Sequence, residues 1–158
     1  MSSQIRRVLV AEDVDGKFAD LINVISDTIS PDECVRARNL NDAEDLLMNE
    51  VWSLLILDLS MDISASGSMD LGSGHATLAG IDVVERISLL KMNVPVLIVT
   101  GFDSFQDPDR FDNDIMYIDD VDKLIGGLLG NYHLGIIRYG RDDWREELIN
   151  ILSVWGVT

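Results

Sequence analysis

Cationic side chains are scarce in this chain: 12 Lys+Arg stand against 28 Asp+Glu, a net charge of −16. Such a surface repels phosphate backbones and anionic lipid, which argues against nucleic acid or a membrane as a partner. Cysteine is nearly absent. Cys34 stands alone, so no internal disulfide can form, and the chain suits a reducing compartment. No apolar run approaches the roughly eighteen residues of a membrane span. The opening "MSSQIRR" lacks the apolar stretch of a signal peptide. Together these absences predict a soluble, cytoplasmic, acidic protein. What remains is 158 residues, 47% of them apolar, enough for one domain with a sizeable core.

The apolar pattern switches period along the chain. "RRVLVAED" (6–13) is a β-branched run ending in acids, which predicts a buried strand. Phe18, Leu21, Ile22, Ile25 and Ile29 follow at helical spacing, with Pro31 after the stop. "CVRAR" (34–38) alternates as a strand, and Asn41 is a candidate N-cap for a helix carrying Ala43, Leu46 and Leu47. "LLILD" (54–58) and "VPVLIVT" (94–100) read as the third and fourth strands, with a helix through Val83, Val84, Ile87 and Leu90 between them. "IMYI" (115–118) reads as the fifth, followed by a helix through Val121, Leu124, Ile125 and Leu128.

Strands alternating with helices at this spacing predict an α/β fold: a parallel sheet with helices on both faces. In such open sheets ligands bind beyond the carboxyl ends of the strands, at the topological switch point. The expected strand ends carry Glu12 and Asp13, then Asp58, then Thr100, so three acids and a hydroxyl should converge on one edge. Gathered carboxylates repel and drift toward protonation unless a cation intervenes. A hard divalent ion with oxygen ligands is the natural partner, and Mg2+ suits a site that also receives phosphate. A carboxylate at such a site can act as nucleophile and form an acyl phosphate.

At this point the spaced set of residues resembles the receiver domain of two-component response regulators. The resemblance spans residues 5–130 and implies a flavodoxin-like, doubly wound five-stranded sheet in the order 2-1-3-4-5. It implies that Asp58 is the phosphoacceptor and that Glu12, Asp13, Asp58 and the backbone carbonyl of Ser60 hold Mg2+. It places Thr100 against the phosphoryl group and Tyr117 at the aromatic switch position, and "AGIDVVERI" (79–87) resembles the entry to the third helix. Two departures mark the chain as atypical. An acid, Asp120, stands where the family's strand-five Lys is expected, and the Lys-Pro dipeptide is missing; Lys123 is the candidate substitute cation.

On this reading residues 1–130 form the receiver, with 63–78 ("ISASGSMDLGSGHATL") an inserted loop, and 131–158 form a C-terminal helical extension. The expected fourth helix, within the Asp-rich stretch 102–122, is short and very acidic. Trp144, Leu148, Ile151, Leu152 and Trp155 share one helical face of the extension, so it should either fold back or supply a homodimer contact, the latter being preferred here.

The implied function is that of a switch rather than a turnover enzyme: a histidine kinase or phosphotransfer protein delivers the phosphoryl group, and contacts with an output protein change. Self-dephosphorylation is the one catalytic act expected. The alternative is a pseudo-receiver, a phosphorylation-independent protein-binding module. A phosphohydrolase ranks last, because "DLS" puts Ser60 where a DxD general acid would stand. His75 and His133 have no partner at metal-ligand spacing, and the Asp-rich stretch lacks the Gly-centred loop of an EF-hand.

Overall fold

The computed structural model describes residues 5–61, 77–106 and 115–156. Most of the expected inserted loop (63–78) lies outside the described residues, as do His75 and Pro108. The sheet opens with β1 (Arg7–Ala11), α1 (Asp15–Ile29), β2 (Glu33–Ala37), α2 (Leu40–Asn49), β3 (Leu54–Leu57), α3 (Ile81–Leu89) and β4 (Val96–Thr100). A hairpin of β5 (Ser104–Gln106) and β6 (Ile115–Tyr117) comes next, then α4 (Ile118–Leu129) and a 3-10 turn at Gly130–Tyr132. The described chain ends with β7 (His133–Arg138) and α5 (Trp144–Gly156).

Five of these strands form one parallel sheet in the order β2-β1-β3-β4-β7. Alternation sets what each face buries. Leu9, Ala11, Leu55, Leu57, Val96 and Ile98 pack toward α2, α3 and α4. Val8, Val10, Leu54, Ile56, Leu97, Val99 and Ile137 face α1 and α5 on the other side. With both faces covered, the central strands can be apolar throughout, and every residue of β3 and β4 is buried.

The expected topology therefore stands, but its fifth strand is a different segment. Residues 115–117 pair antiparallel with 104–106, outside the main sheet. Within that pair Phe105 is fully buried, whereas Ile115 and Tyr117 are exposed. The place beside β4 belongs to β7, which runs parallel to it with Leu97 opposite Gly135 and Thr100 opposite Arg138. Six residues, with Ile137 fully buried, outcompete a three-residue run that presents only Met116 to the core.

That exchange moves everything after β4 by one unit. The twelve-residue helix at 118–129, expected after the fifth strand, precedes it and is the fourth helix among the described residues. Its first turn is acidic, at Asp119 and Asp120, and Val121, Ile125 and Leu129 are buried; the short acidic helix expected within 102–122 falls in large part on 107–114, outside the described residues. The sheet also runs across residue 130, so the expected division into 1–130 and 131–158 does not divide the fold. Trp144, Leu148 and Leu152 of α5 are buried against Leu21, Val24, Ile25 and Ile29 of α1. These three members of the stripe are covered by its own domain, as the fold-back alternative expects, while Ile151 and Trp155 are partly buried.

Candidate functional site

Backbone pairing continues past the ends of β1 and β3 and delivers the acids. Glu12 donates its N–H to the Ala37 carbonyl at 3.0 Å, and Asp58 donates its N–H to the Ala11 carbonyl at 3.1 Å. Both side chains are almost fully enclosed, Glu12 at 1% and Asp58 at 6% exposure. Asp13 is partly buried beside them. Carboxylate oxygens of Glu12, Asp13 and Asp58 all lie within 4.8 Å of one another. The three acids read from the strand ends are brought together as expected.

The Asp58 and Glu12 carboxylates are oriented by local donors. Asp58 Oδ1 accepts from the Ser60 N–H at 3.1 Å and from the Ser60 hydroxyl at 3.0 Å. This turn fixes the ring of contacts on Oδ1 and leaves Oδ2 turned toward the other acids' cation, described below. Glu12 Oε2 accepts from the Val14 N–H at 3.0 Å, and the Arg36 Nε donates to the Glu12 main-chain carbonyl at 2.9 Å. Burial, and next the charge of Asp58, push the Glu12 carboxyl up to about 7, against the lowering effect of Lys17.

The cation in this cluster was not foreseen. Lys17, 6% exposed, rises from the first turn of α1 into the acid cluster. Its Nζ lies 2.6 Å from Glu12 Oε1 and 3.6 Å from Asp58 Oδ2, and donates to the Val99 carbonyl at 2.8 Å. The contact with Glu12 Oε1 is a close, buried ion pair. A signal for Lys17 did exist. Positions 17, 21, 25 and 29 share one helical stripe, and Leu21, Ile25 and Ile29 all face the core. A lysine on a buried stripe four residues after an acidic pair is placed to reach that pair.

Gly80 is a second residue that the sequence reading passed over. A Cβ there would lie 2.7 Å from Leu59 Cα and 3.1 Å from the Asp58 carbonyl oxygen, both backbone atoms. Its N–H donates to the Leu59 carbonyl at 2.8 Å. The entry to α3 thus packs directly on the turn that carries Asp58.

The remaining expected residues fall as follows. Thr100 is fully buried at the end of β4, its Oγ1 accepting from the Phe102 N–H at 3.2 Å. Tyr117, at 57% exposure, caps α4 from the small hairpin and is not on the fifth strand of the sheet. Its assignment to a switch position followed from the misplaced strand. Lys123 is exposed on α4, and the cation paired with Asp58 is Lys17 instead. Asp120, read as standing in place of a strand-five Lys, lies in the first turn of α4, where its carboxylate accepts from the Tyr117 N–H at 3.4 Å.

At the end of the true fifth strand stands Arg138. It pairs with Asp103 at 2.9 Å and donates to the Tyr139 carbonyl. The Tyr139 N–H donates to the Thr100 carbonyl at 2.8 Å, and its hydroxyl donates to Asp20 of α1 at 2.6 Å. The Tyr139 ring lies 5.8 Å from Lys17 Nζ and packs on Trp144 at 4.9 Å between centroids.

The donor set fits a hard divalent ion: three carboxylates offer oxygens that lie within 4.8 Å of one another. Among the described residues no helix is long and apolar enough to cross a membrane. No protein-family model matches the chain, and no curated protein matches its sequence. Solved structures do match in shape. The signal receiver domain of a LuxO-like repressor from Vibrio parahaemolyticus aligns with TM-score 0.65 and 17% identity, covering 98% of this chain and 92% of that one. The chemotaxis response regulator CheY4 of Vibrio cholerae aligns with TM-score 0.59 and 15% identity, covering 96% and 99%. A LuxR-family DNA-binding response regulator from Staphylococcus aureus gives 0.60 and 18%, covering 96% and 98%. This chain has the fold of a response-regulator receiver domain, with a C-terminal helix that completes one face of the sheet.

Proposed function

We propose that the protein is a signal-receiving domain that accepts a phosphoryl group on Asp58. The observation that carries this reading is the meeting of Glu12, Asp13 and Asp58 at the C-terminal edge of a receiver-type sheet, their oxygens within 4.8 Å of one another. Glu12, Asp13, Asp58 and the Ser60 carbonyl would hold Mg2+, which supplies neutralisation of phosphoryl charge. Asp58 Oδ2 is the nucleophile. Oδ1 is held by the two Ser60 donors, which orient the carboxylate and leave Oδ2 to attack. The enclosure of Asp58, at 6% exposure, slows the approach of water to the acyl phosphate once formed. The Thr100 hydroxyl, at the end of the neighbouring strand, is the side-chain donor for a phosphoryl oxygen.

The donor is a histidine kinase or phosphotransfer protein, and the result is a change in protein contacts. The arrangement is a switch; its one catalytic act is loss of its own phosphoryl group to water. Intact mass after incubation with acetyl phosphate and Mg2+ tests the reading. One phosphate should add to the wild type and none to Asp58→Asn. A folded wild type that gains no mass leaves the phosphorylation-independent binding module in its place.

A further inference from the structure

We infer that Lys17 of α1 is the cation that receives the phosphoryl group, doing from the first helix what a strand-five lysine would do. This rests on Asp58 being the phosphoacceptor. Three observations support it. The first is position. Lys17 Nζ lies 3.6 Å from Asp58 Oδ2, the carboxylate oxygen without a Ser60 hydrogen bond, so it stands beside the reacting atom. The second is anchoring. The ammonium donates to the Val99 carbonyl at 2.8 Å, which fixes the end of a flexible side chain to the fourth strand. A Lys ammonium has three donors, so this anchor leaves others for oxygens that arrive.

The third observation is that other cations near this edge are held elsewhere: Arg36 donates to the Glu12 main-chain carbonyl at 2.9 Å and pairs with Asp15 at 2.9 Å. Arg138 ends the true fifth strand, but its guanidinium is engaged by Asp103 at 2.9 Å and by the Tyr139 carbonyl. Lys123 is exposed on α4. Among the described residues, the ion pairs of Asp58 involve Lys17 alone. A buried ammonium held in place before reaction stabilises developing negative charge without reorganising, which is where such groups contribute most.

The step is a direct transfer. Asp58 Oδ2 forms a bond to phosphorus as the P–O bond of acetyl phosphate breaks, and acetate leaves with the bonding pair; no proton transfer is needed. A phosphoryl oxygen then accepts from Lys17 Nζ in place of the distant contact with Oδ2. Glu12 Oε1, until then paired with Lys17 at 2.6 Å, is released toward the metal side of the cluster. Lys17 and a bound Mg2+ would thus share Glu12 and Asp58 as partners.

That sharing gives a test separating a phosphoryl-contacting cation from a merely structural one. In Lys17→Met the rate of phosphate uptake from acetyl phosphate should fall about a hundredfold, the scale of losing one preorganised charge donor. Affinity for Mg2+, read by the metal-dependent melting shift, should stay the same or tighten, because a competing cation is gone. Lys17→Arg should recover part of the uptake. Saturating Mg2+ in the assay neutralises the acids that Lys17→Met leaves facing each other, and circular dichroism checks the fold. Where Lys17→Met does not fold, Lys17→Gln, which keeps a donor for the Val99 carbonyl, takes its place with the same expectation. Uptake at the wild-type rate in a folded variant overturns the inference while leaving Asp58 as phosphoacceptor. Parallel loss of uptake and Mg2+ affinity also overturns it, since that is what a scaffold role predicts. A wild type that takes up no phosphate overturns the receiver reading and this inference with it.

Discussion

Two cations stand at the carboxyl edge of the sheet, and they live in different media. Lys17 has 6% of its side chain exposed and faces Glu12 and Asp58, exposed by 1% and 7%. Arg138, at the end of the fifth strand, pairs with an Asp103 side chain that is 62% exposed. Charge separation is screened around Arg138 and hardly screened around Lys17, so equal formal charges carry unequal weight. Position in the fold, rather than residue type, decides which of them belongs to the site. On the proposed reading, the missing strand-five lysine says less than the sequence suggested, since a buried lysine of α1 stands beside Asp58.

The sharpest way to break this comparison is to remove each cation in turn and measure unfolding by denaturant without Mg2+. Removing Lys17 leaves two buried carboxylates with no counter-charge, and breaking such a pair costs about 3–5 kcal/mol. Lys17→Met should show a loss of that order, largely restored by Mg2+. A loss that metal does not restore would mean the residue serves packing rather than charge. Trp144→Ala follows closely. Trp144 is buried, packs on Tyr139 and belongs to the core between α1 and α5, so about 3–5 kcal/mol should be lost here too, this time insensitive to Mg2+.

Gly80→Ala tests the other wall of the site. A Cβ 2.7 Å from Leu59 Cα must push backbone, and overpacking of this kind costs about 1–3 kcal/mol. Because the displaced turn carries Asp58, phosphate uptake should slow more than stability alone predicts. An unimpaired rate would show that the turn accommodates the methyl group elsewhere. Arg138→Gln should have the smallest effect, under about 1 kcal/mol by the rule for exposed pairs, with phosphate uptake within about threefold of wild type. A large loss of uptake in Arg138→Gln would reverse the ranking of the two cations.

Much of this was legible in the chain. β1, β3 and β4 are continuous apolar runs ending in polar residues, and nothing but burial between two helical layers suits such runs. Since those three strands are adjacent, their ends had to meet, and the acid cluster followed. The fifth strand was not legible. "IMYI" and "HLGIIR" carry similar short-range signals, and Gly135 weakens the second further. Only the open edge of β4 and the apolar face of α1 distinguish them, and neither is encoded within either segment.

The tail shows the same division. Its stripe of Trp144, Leu148 and Leu152 demanded cover, and the sequence stated that demand without naming what provides the cover. The sequence by itself determined which residues must be hidden and which acids lie at strand ends, because hydrophobic period and residue order act locally. The tertiary structure decided which segment takes the last place in the sheet, what covers α5, and that Lys17 rather than Lys123 meets Asp58. Those choices depend on distances between residues far apart in the chain: Lys17 reaches a carbonyl 82 positions away, and no local pattern records that.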